Sequence, residues 1–326
     1  MRQRRQDVAD EAKAFVKSYE TTTLQSKVLA TALSGLRALD YNRSKSFVPC
    51  VHLPLLVYAG VSGNDEQAVP LSVALSLLEL GIDLLDNLAD QELPLSWQGY
   101  SSSVIQLTAT KFVCCLPQLA LMDLDASTAS LLTIQQMLAQ GLLKIAAGQL
   151  QDLEFQESSH PNVEDVQASV LGKSGERRGM YAALAAQLAG ASLETVEAYA
   201  EMGRSLGMVL QFTSDCTDIF TAAHSRDLAN GTRTLPIALH LQQLQDTERA
   251  SFLDLLAKAK VDLKARQEVQ ASLVQAGGLR RCAYYIEYFR QRTKQSLEIA
   301  NPKEPALSWF KEIISNVSVL SLENKK

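Results

Sequence analysis

The chain has 326 residues, 47% of them hydrophobic and 21% charged, with a formal net charge of −5. This is a globular composition, long enough to bury a large core, and it excludes a nucleic-acid binder, which would carry a basic surplus on one face. Glycine and proline are sparse (16 and 9) and no stretch reads as a linker, so one domain over residues 1–326 is expected.

Arg2-Gln3-Arg4-Arg5 is basic but is followed by Asp7, Asp10 and Glu11, with no apolar h-region. It reads as a solvated helix end and not as a signal peptide. From there apolar residues recur at three- and four-residue steps over 8–38, 69–92, 101–121, 127–155, 163–190, 193–222, 234–245, 247–258, 262–275, 277–300 and 304–316. Leu, Ala, Gln and Glu dominate these segments, and no segment alternates with period two. The expected fold is all-α, with neighbouring helices packed antiparallel through short connections.

The helix from Val69 to Leu88 is apolar almost all round and should be buried, yet it closes on Asp83, Asp86, Asn87 and Asp90. Asp86 and Asp90 are four apart and share a helix face. Carboxylates are costly in a buried helix unless compensated, and a divalent cation is one compensation; a helix end running out into solvent is the other reading. Val69 to Leu85 is the nearest approach to a membrane span, but Ser72, Ser76, Glu79 and Asp83 interrupt it, so no transmembrane segment is expected.

Gly148-Gln149-Leu150-Gln151-Asp152 closes a long apolar helix. After it, Glu154 to Pro161 form a loop that contains His160, a solvated turn residue with no assigned role. Asn162 can cap the next helix, with Glu164 and Asp165 in its first turn. Lys173-Ser174 lie between Gly172 and Gly175, a permissive backbone that could break the helical segment 163–190. The helix Tyr199 to Phe220 carries Gln211, Ser214, Asp215 and Asp218, with the two aspartates three apart on one face. Two apolar helices ending in spaced carboxylates suggest Mg²⁺, which binds oxygen ligands and often shares them with substrate phosphates. Arg226 to Pro236 is a polar loop whose cations could reach a diphosphate. The five cysteines, Cys50, Cys114, Cys115, Cys216 and Cys282, show no metal-ligand spacing, and their odd number points to a reducing, cytoplasmic compartment.

Each feature alone has a bland reading, but their order resembles the trans-isoprenyl diphosphate synthase (polyprenyl synthetase) family. Asp86-Asn87-Leu88-Ala89-Asp90 is similar to its DDxxD motif with Asn in second place, and Gly148-Gln149-x-x-Asp152 to its GQxxD. Lys173-Ser174 resembles its KT pair, and Gln211 to Asp218 its QxxDDxxD with Ser214 for the first aspartate. Arg226 to Pro236 resembles its KDLxxGKxTLP, with Arg226 and Arg233 for the lysines. The resemblance covers about 55 to 240 and implies a class I isoprenoid synthase helical bundle with a central cavity. It implies Mg²⁺ held by Asp86, Asp90, Asp215 and Asp218 with Asn87 beside them, and diphosphate contacts from Lys173, Arg226 and Arg233. Gln149, Asp152, Ser174 and Gln211 would line the site. An allylic isoprenoid diphosphate is the implied substrate, and a homodimer the implied assembly.

The departures bear on the acceptor. Chain-elongating members carry GGKxxR near the start and RRG after the first motif; here the first region reads Asp40 to Phe47, where only Arg43 and Lys45 could substitute. Gln91-Glu92-Leu93-Pro94-Leu95-Ser96-Trp97 holds no arginine. The chain therefore looks closer to the divergent ComQ-like branch, which prenylates a tryptophan of a precursor peptide. A prenyltransferase with a peptide or small-molecule acceptor is the expectation. A terpene synthase or diphosphate lyase, a chain elongator and a non-catalytic binding subunit are the alternatives. In the family, residues four and five places before the first motif limit prenyl length. Here they are Ile82 and Gly81, with Leu78 one turn below, and Gly81 is expected to leave room beside the helix.

Overall fold

The computed structural model describes residues 2–20, 22–37, 47–90, 92–156, 162–222 and 224–317. Arg43, Lys45, Gln91 and His160 lie outside the described residues. Among the described residues all regular structure is helical, as the periodicity predicts: α1 (Arg2–Lys17), α2 (Thr23–Ser34), α3 (Pro49–Ser62), α4 (Val69–Ala89), α5 (Ser102–Thr110), α6 (Leu116–Leu121), α7 (Thr128–Gln156), α8 (Val163–Val170), α9 (Glu176–Leu188), α10 (Leu193–Thr221), α11 (Arg226–Asn230), α12 (Leu235–Leu241), α13 (Asp246–Ala259), α14 (Leu263–Gln275), α15 (Gly278–Ala300) and α16 (Ala306–Asn316). The chain forms two compact units, one of residues 1–138, 181–197 and 301–310, the other of 139–180, 198–300 and 311–326.

In the first unit α4 packs against α1, α3, α5 and α6. Leu71, Leu75, Leu77 and Leu78 are fully buried, each contributing about 1.5–3 kcal/mol relative to exposure. The segment expected as one helix over 8–38 is two: Thr22 caps α2 by accepting from the Gln25 amide at 3.2 Å. Helix α3 has no counterpart among the expected segments. It is buried on nearly every side, so its sequence carries no polar stripe and no period to read. Pro49 opens it, where a missing N–H costs nothing, and Gly63 closes it at φ 99°. Glu66–Ala89 and Ser102–Leu121 are long and apolar enough to cross a membrane by length and composition, but 83% of the first window is buried within the protein.

The second unit holds two apolar clusters whose residues interleave in sequence. Phe155, Val163, Val166 and Val170 meet Met208, Val209, Phe212 and Ile286. Ile219, Leu228, Ile237 and Leu241 meet Phe252, Leu256, Val269 and Leu273. Two turns of π-helix interrupt longer helices, Lys111–Cys115 between α5 and α6 and Leu171–Gly175 between α8 and α9. The permissive backbone at Lys173-Ser174 thus does not end the helical segment expected over 163–190. The glycines widen one turn instead of ending the helix, because an inserted residue is absorbed as an i→i+5 turn when both flanks remain helical.

Candidate active site

At the end of α4, Asp86 and Asn87 are half-buried and Asp90 is exposed. Asp83, grouped by sequence with these acids, belongs to a different set. Arg37 grips it through two hydrogen bonds, Nε to Oδ2 at 2.7 Å and Nη2 to Oδ1 at 2.8 Å. The same guanidinium lies 3.3 Å from Oε1 of Glu79, a carboxylate only 1% exposed, and the Tyr181 hydroxyl donates to Glu79 Oε2. Burial pulls the Arg37 pKa down, but Glu79 and Asp83 outweigh it and hold the guanidinium above its ordinary value.

Contrary to the expectation from sequence, the room beside Gly81 is filled. A Cβ on Gly81 would lie 2.8 Å from the Cβ of Phe112 and 2.8 Å from Val113 Cγ2. Gly81 serves close helix packing against the first π turn, with Leu78 and Ile82 buried beside it in the same helix. An aromatic at 81 would collide with backbone before it could shorten any pocket.

In the second unit, absent side chains bring the polar residues together. A Cβ on Gly148 would lie 2.6 Å from the Gly172 Cα, so α7 rests directly on the second π turn. On the other side, Cβ atoms on Gly203 and Gly207 of α10 would come within 2.5 Å of the Arg178 and Ser174 carbonyls. Three backbones in contact leave the side chains one turn away within hydrogen-bonding reach. Lys173 Nζ donates to Asp152 Oδ2 at 2.7 Å, and Ser169 Oγ to Asp152 Oδ1. Ser174 Oγ donates to Gln211 Oε1 at 2.9 Å, and Gln211 Nε2 to Asp215 Oδ1 at 2.8 Å. Five expected site residues, Asp152, Lys173, Ser174, Gln211 and Asp215, therefore lie in two hydrogen-bond sets, Asp152 with Lys173 and Asp215 with Gln211 and Ser174.

Asp215 is buried, whereas Ser214 beside it is exposed. Burial pushes the Asp215 carboxyl up to about 8, Asp227 adds to the rise, and the Gln211 hydrogen bond opposes it, with Asp218 and Asp152 raising it further. Asp227, Asp218 and Asp152 thus all act on the Asp215 carboxyl, and Lys173 is paired with one of them, Asp152. Asp218 is occupied otherwise than expected: it accepts from the Ser225 hydroxyl and from the amides of Arg226 at 3.2 Å and Asp227 at 3.0 Å. It fixes the start of α11 and hence the polar loop. In that loop the Arg233 Nε is buried with no hydrogen-bond partner, and burial lowers its pKa. Gln149 Nε2 is likewise a buried donor without a partner. Among the described residues neither Arg226 nor Arg233 has a carboxylate partner.

This arrangement fits both groups that the motifs imply. Orphaned donors and unpaired guanidinium groups suit a polyanion, and a carboxylate raised first by burial and then by its acidic neighbours suits a divalent cation. No three Asp, Glu, His or Cys side chains converge among the described residues. A Mg²⁺ ion there would complete its shell with water and phosphate oxygens, as that ion commonly does. Sequence reading missed Arg37, Glu79, Ser169, Ser225 and Asp227. Of these, Ser225 left a local signal as a capping serine three residues before Leu228, Glu79 as a carboxylate inside the apolar run of α4, and Asp227 as the second residue of the Arg226–Pro236 stretch.

The polyprenyl synthetase family model matches residues 107–273, just over half of the chain. No curated protein matches. Among solved structures, a polyprenyl synthetase from Streptomyces coelicolor A3(2) is 18% identical with a TM-score of 0.83, covering 97% of this chain and 98% of its own. A geranylgeranyl pyrophosphate synthetase from Pyrococcus horikoshii Ot3 is 16% identical with a TM-score of 0.81, at 97% and 98% coverage. A geranylgeranyl pyrophosphate synthase from Corynebacterium glutamicum, complexed with isoprenyl diphosphate and magnesium, is 13% identical with a TM-score of 0.79, at 98% and 97% coverage. At these identities the structures show the class I isoprenoid synthase fold. The family model carries the assignment further, to a generally magnesium-dependent group acting on allylic isoprenyl diphosphates. The chain belongs to the polyprenyl synthetase family and is a prenyltransferase acting on isoprenoid diphosphates.

Proposed function

We propose that this enzyme ionises an allylic isoprenoid diphosphate and transfers the prenyl group to an acceptor other than isopentenyl diphosphate, a peptide in the ComQ-like manner. The observation that carries the diphosphate half is the polar loop: Arg226 and Arg233 lack carboxylate partners among the described residues, and Arg233 Nε is a buried orphan donor. Asp86, Asp90 and Asp215 would hold Mg²⁺, with Asn87 contributing a neutral oxygen and Asp218 mainly positioning the loop. Bound there, Mg²⁺ would neutralise charge developing on the departing diphosphate. Lys173, kept in place by Asp152, offers its ammonium to the same anion. Gln149 offers an unsatisfied amide donor, while Ser174 and Gln211 fix the direction of the Asp215 carboxylate. Leu78 and Ile82 remain candidates for the apolar wall along the prenyl chain.

The acceptor half rests on the missing cations. The stretch from Gln91 to Trp97 carries no arginine, and each lost hydrogen bond to a charged phosphate is worth about 1.5–3 kcal/mol. A single 1–326 domain, a homodimer and a cytoplasmic location belong to the same proposal. The test is incubation with geranyl, farnesyl and geranylgeranyl diphosphates and Mg²⁺, with and without isopentenyl diphosphate, followed by product analysis. Diphosphate release without elongation is expected. Efficient condensation with isopentenyl diphosphate would overturn the acceptor reading. Release of diphosphate with a free terpene and no acceptor would favour a lyase of the same fold.

A further inference from the structure

We propose that Lys260 is a third cation of the diphosphate-binding loop, a contact that none of the sequence motifs assigns; the inference rests on the reading of Arg226 to Pro236 as that loop. Lys260 follows α13, far from the motif in sequence, yet its side chain lies across Gly231 in the middle of the loop. A Cβ on Gly231 would lie 2.8 Å from Lys260 Nζ and strike its Cε. Gly231 has φ +76°, so the backbone favours glycine there, and its missing side chain leaves room for the exposed lysine stem to lie over the loop.

A lysine at a helix C-terminus ordinarily serves the exposed carbonyls. Here that task is taken. Arg266 donates to the Ala259 carbonyl at 2.6 Å and to the Lys260 carbonyl at 2.8 Å. The acid nearest in sequence, Asp262, is also engaged, accepting from the Lys264 amide at 2.9 Å as the cap of α14. Among the described residues Lys260 has no carboxylate partner. Its backbone is therefore fixed by Arg266, its stem is laid over the loop, and its charge is unspent. With Arg226 and Arg233 of the loop itself, the Lys260 side chain over Gly231 makes a third cation without a carboxylate partner, which suits an anion carrying several negative charges. Its ammonium would donate to a non-bridging oxygen of the diphosphate.

The experiment uses the full chain, with inorganic diphosphate in Mg²⁺ buffer as the calorimetric probe and the preferred allylic diphosphate in steady-state assays. Lys260→Met keeps the stem and removes the charge. It is expected to weaken inorganic diphosphate binding and raise KM by about tenfold with kcat held, and Lys260→Arg to restore both. Lys260→Gln, with helical content checked, guards against a folding defect in the methionine variant. Wild-type affinity and KM in both neutral variants would overturn the role of Lys260 alone, since packing would then be its whole function. Failure of the wild-type chain to bind inorganic diphosphate would overturn this inference and the loop assignment together.

Discussion

At the residue scale Asp215 dominates the electrostatics of the second unit. Its carboxyl, ordinarily near 3.8, is raised to about 8 by burial and then by Asp227. A raised carboxyl keeps its proton in the folded chain after the unfolded chain has lost it. Its contribution is thus fully present below about 3.8 and is lost as pH rises towards about 8. Asp215→Asn removes that titration, so the denaturation midpoint of the variant should fall less steeply across this window and exceed the parent's above it. A parallel pair of pH profiles would contradict the assignment. Since a cation needs the ionised form, Mg²⁺ binding below pH about 8 should release a proton, read by calorimetry in buffers of different ionisation enthalpy. For Lys173 and Asp152, a double-mutant cycle with Lys173→Met and Asp152→Asn should give a coupling of about 1.5 kcal/mol in urea denaturation. A coupling near zero would mean that the 2.7 Å pair adds nothing to the fold.

At the element scale, the site in the second unit exists because backbones touch. Gly148→Ala would set a methyl 2.6 Å from the Gly172 Cα, against atoms that cannot rotate away. Overpacking of this kind costs about 1–3 kcal/mol, and it should also loosen Lys173 from Asp152. We expect a lower melting temperature and a loss of activity larger than the stability loss explains. In the first unit one guanidinium, that of Arg37, bridges two carboxylates of α4. Arg37→Met would leave Glu79 and Asp83 without their shared guanidinium. The cost should be about 3 kcal/mol, the low end for a broken buried pair because Arg37 is itself 40% exposed. A loss below the error of a urea titration would show that Tyr181 and the remaining partners of Glu79 suffice.

For the whole molecule, chelation should abolish diphosphate release while helical content stays unchanged, because the helices rest on apolar burial and not on metal; turnover persisting in EDTA would remove Mg²⁺ from the reading. The sequence by itself determined the helical class, the order of the motifs and the family, because a helical period and residue spacing are local properties of the chain. It did not reveal α3, whose all-round apolar surface has no period, nor the π turn at Leu171–Gly175, where glycines read as a break. Gly81 shows the same limit: a missing side chain signals either space or contact, and only the position of Phe112 decided for contact. Asp83, Asp86 and Asp90 look equivalent along α4, yet Arg37, distant in sequence, sets Asp83 apart. Partners that come from afar, such as Arg37 to Asp83 and Lys260 to Gly231, were decided by tertiary packing alone, since pairing depends on distances that no local spacing encodes.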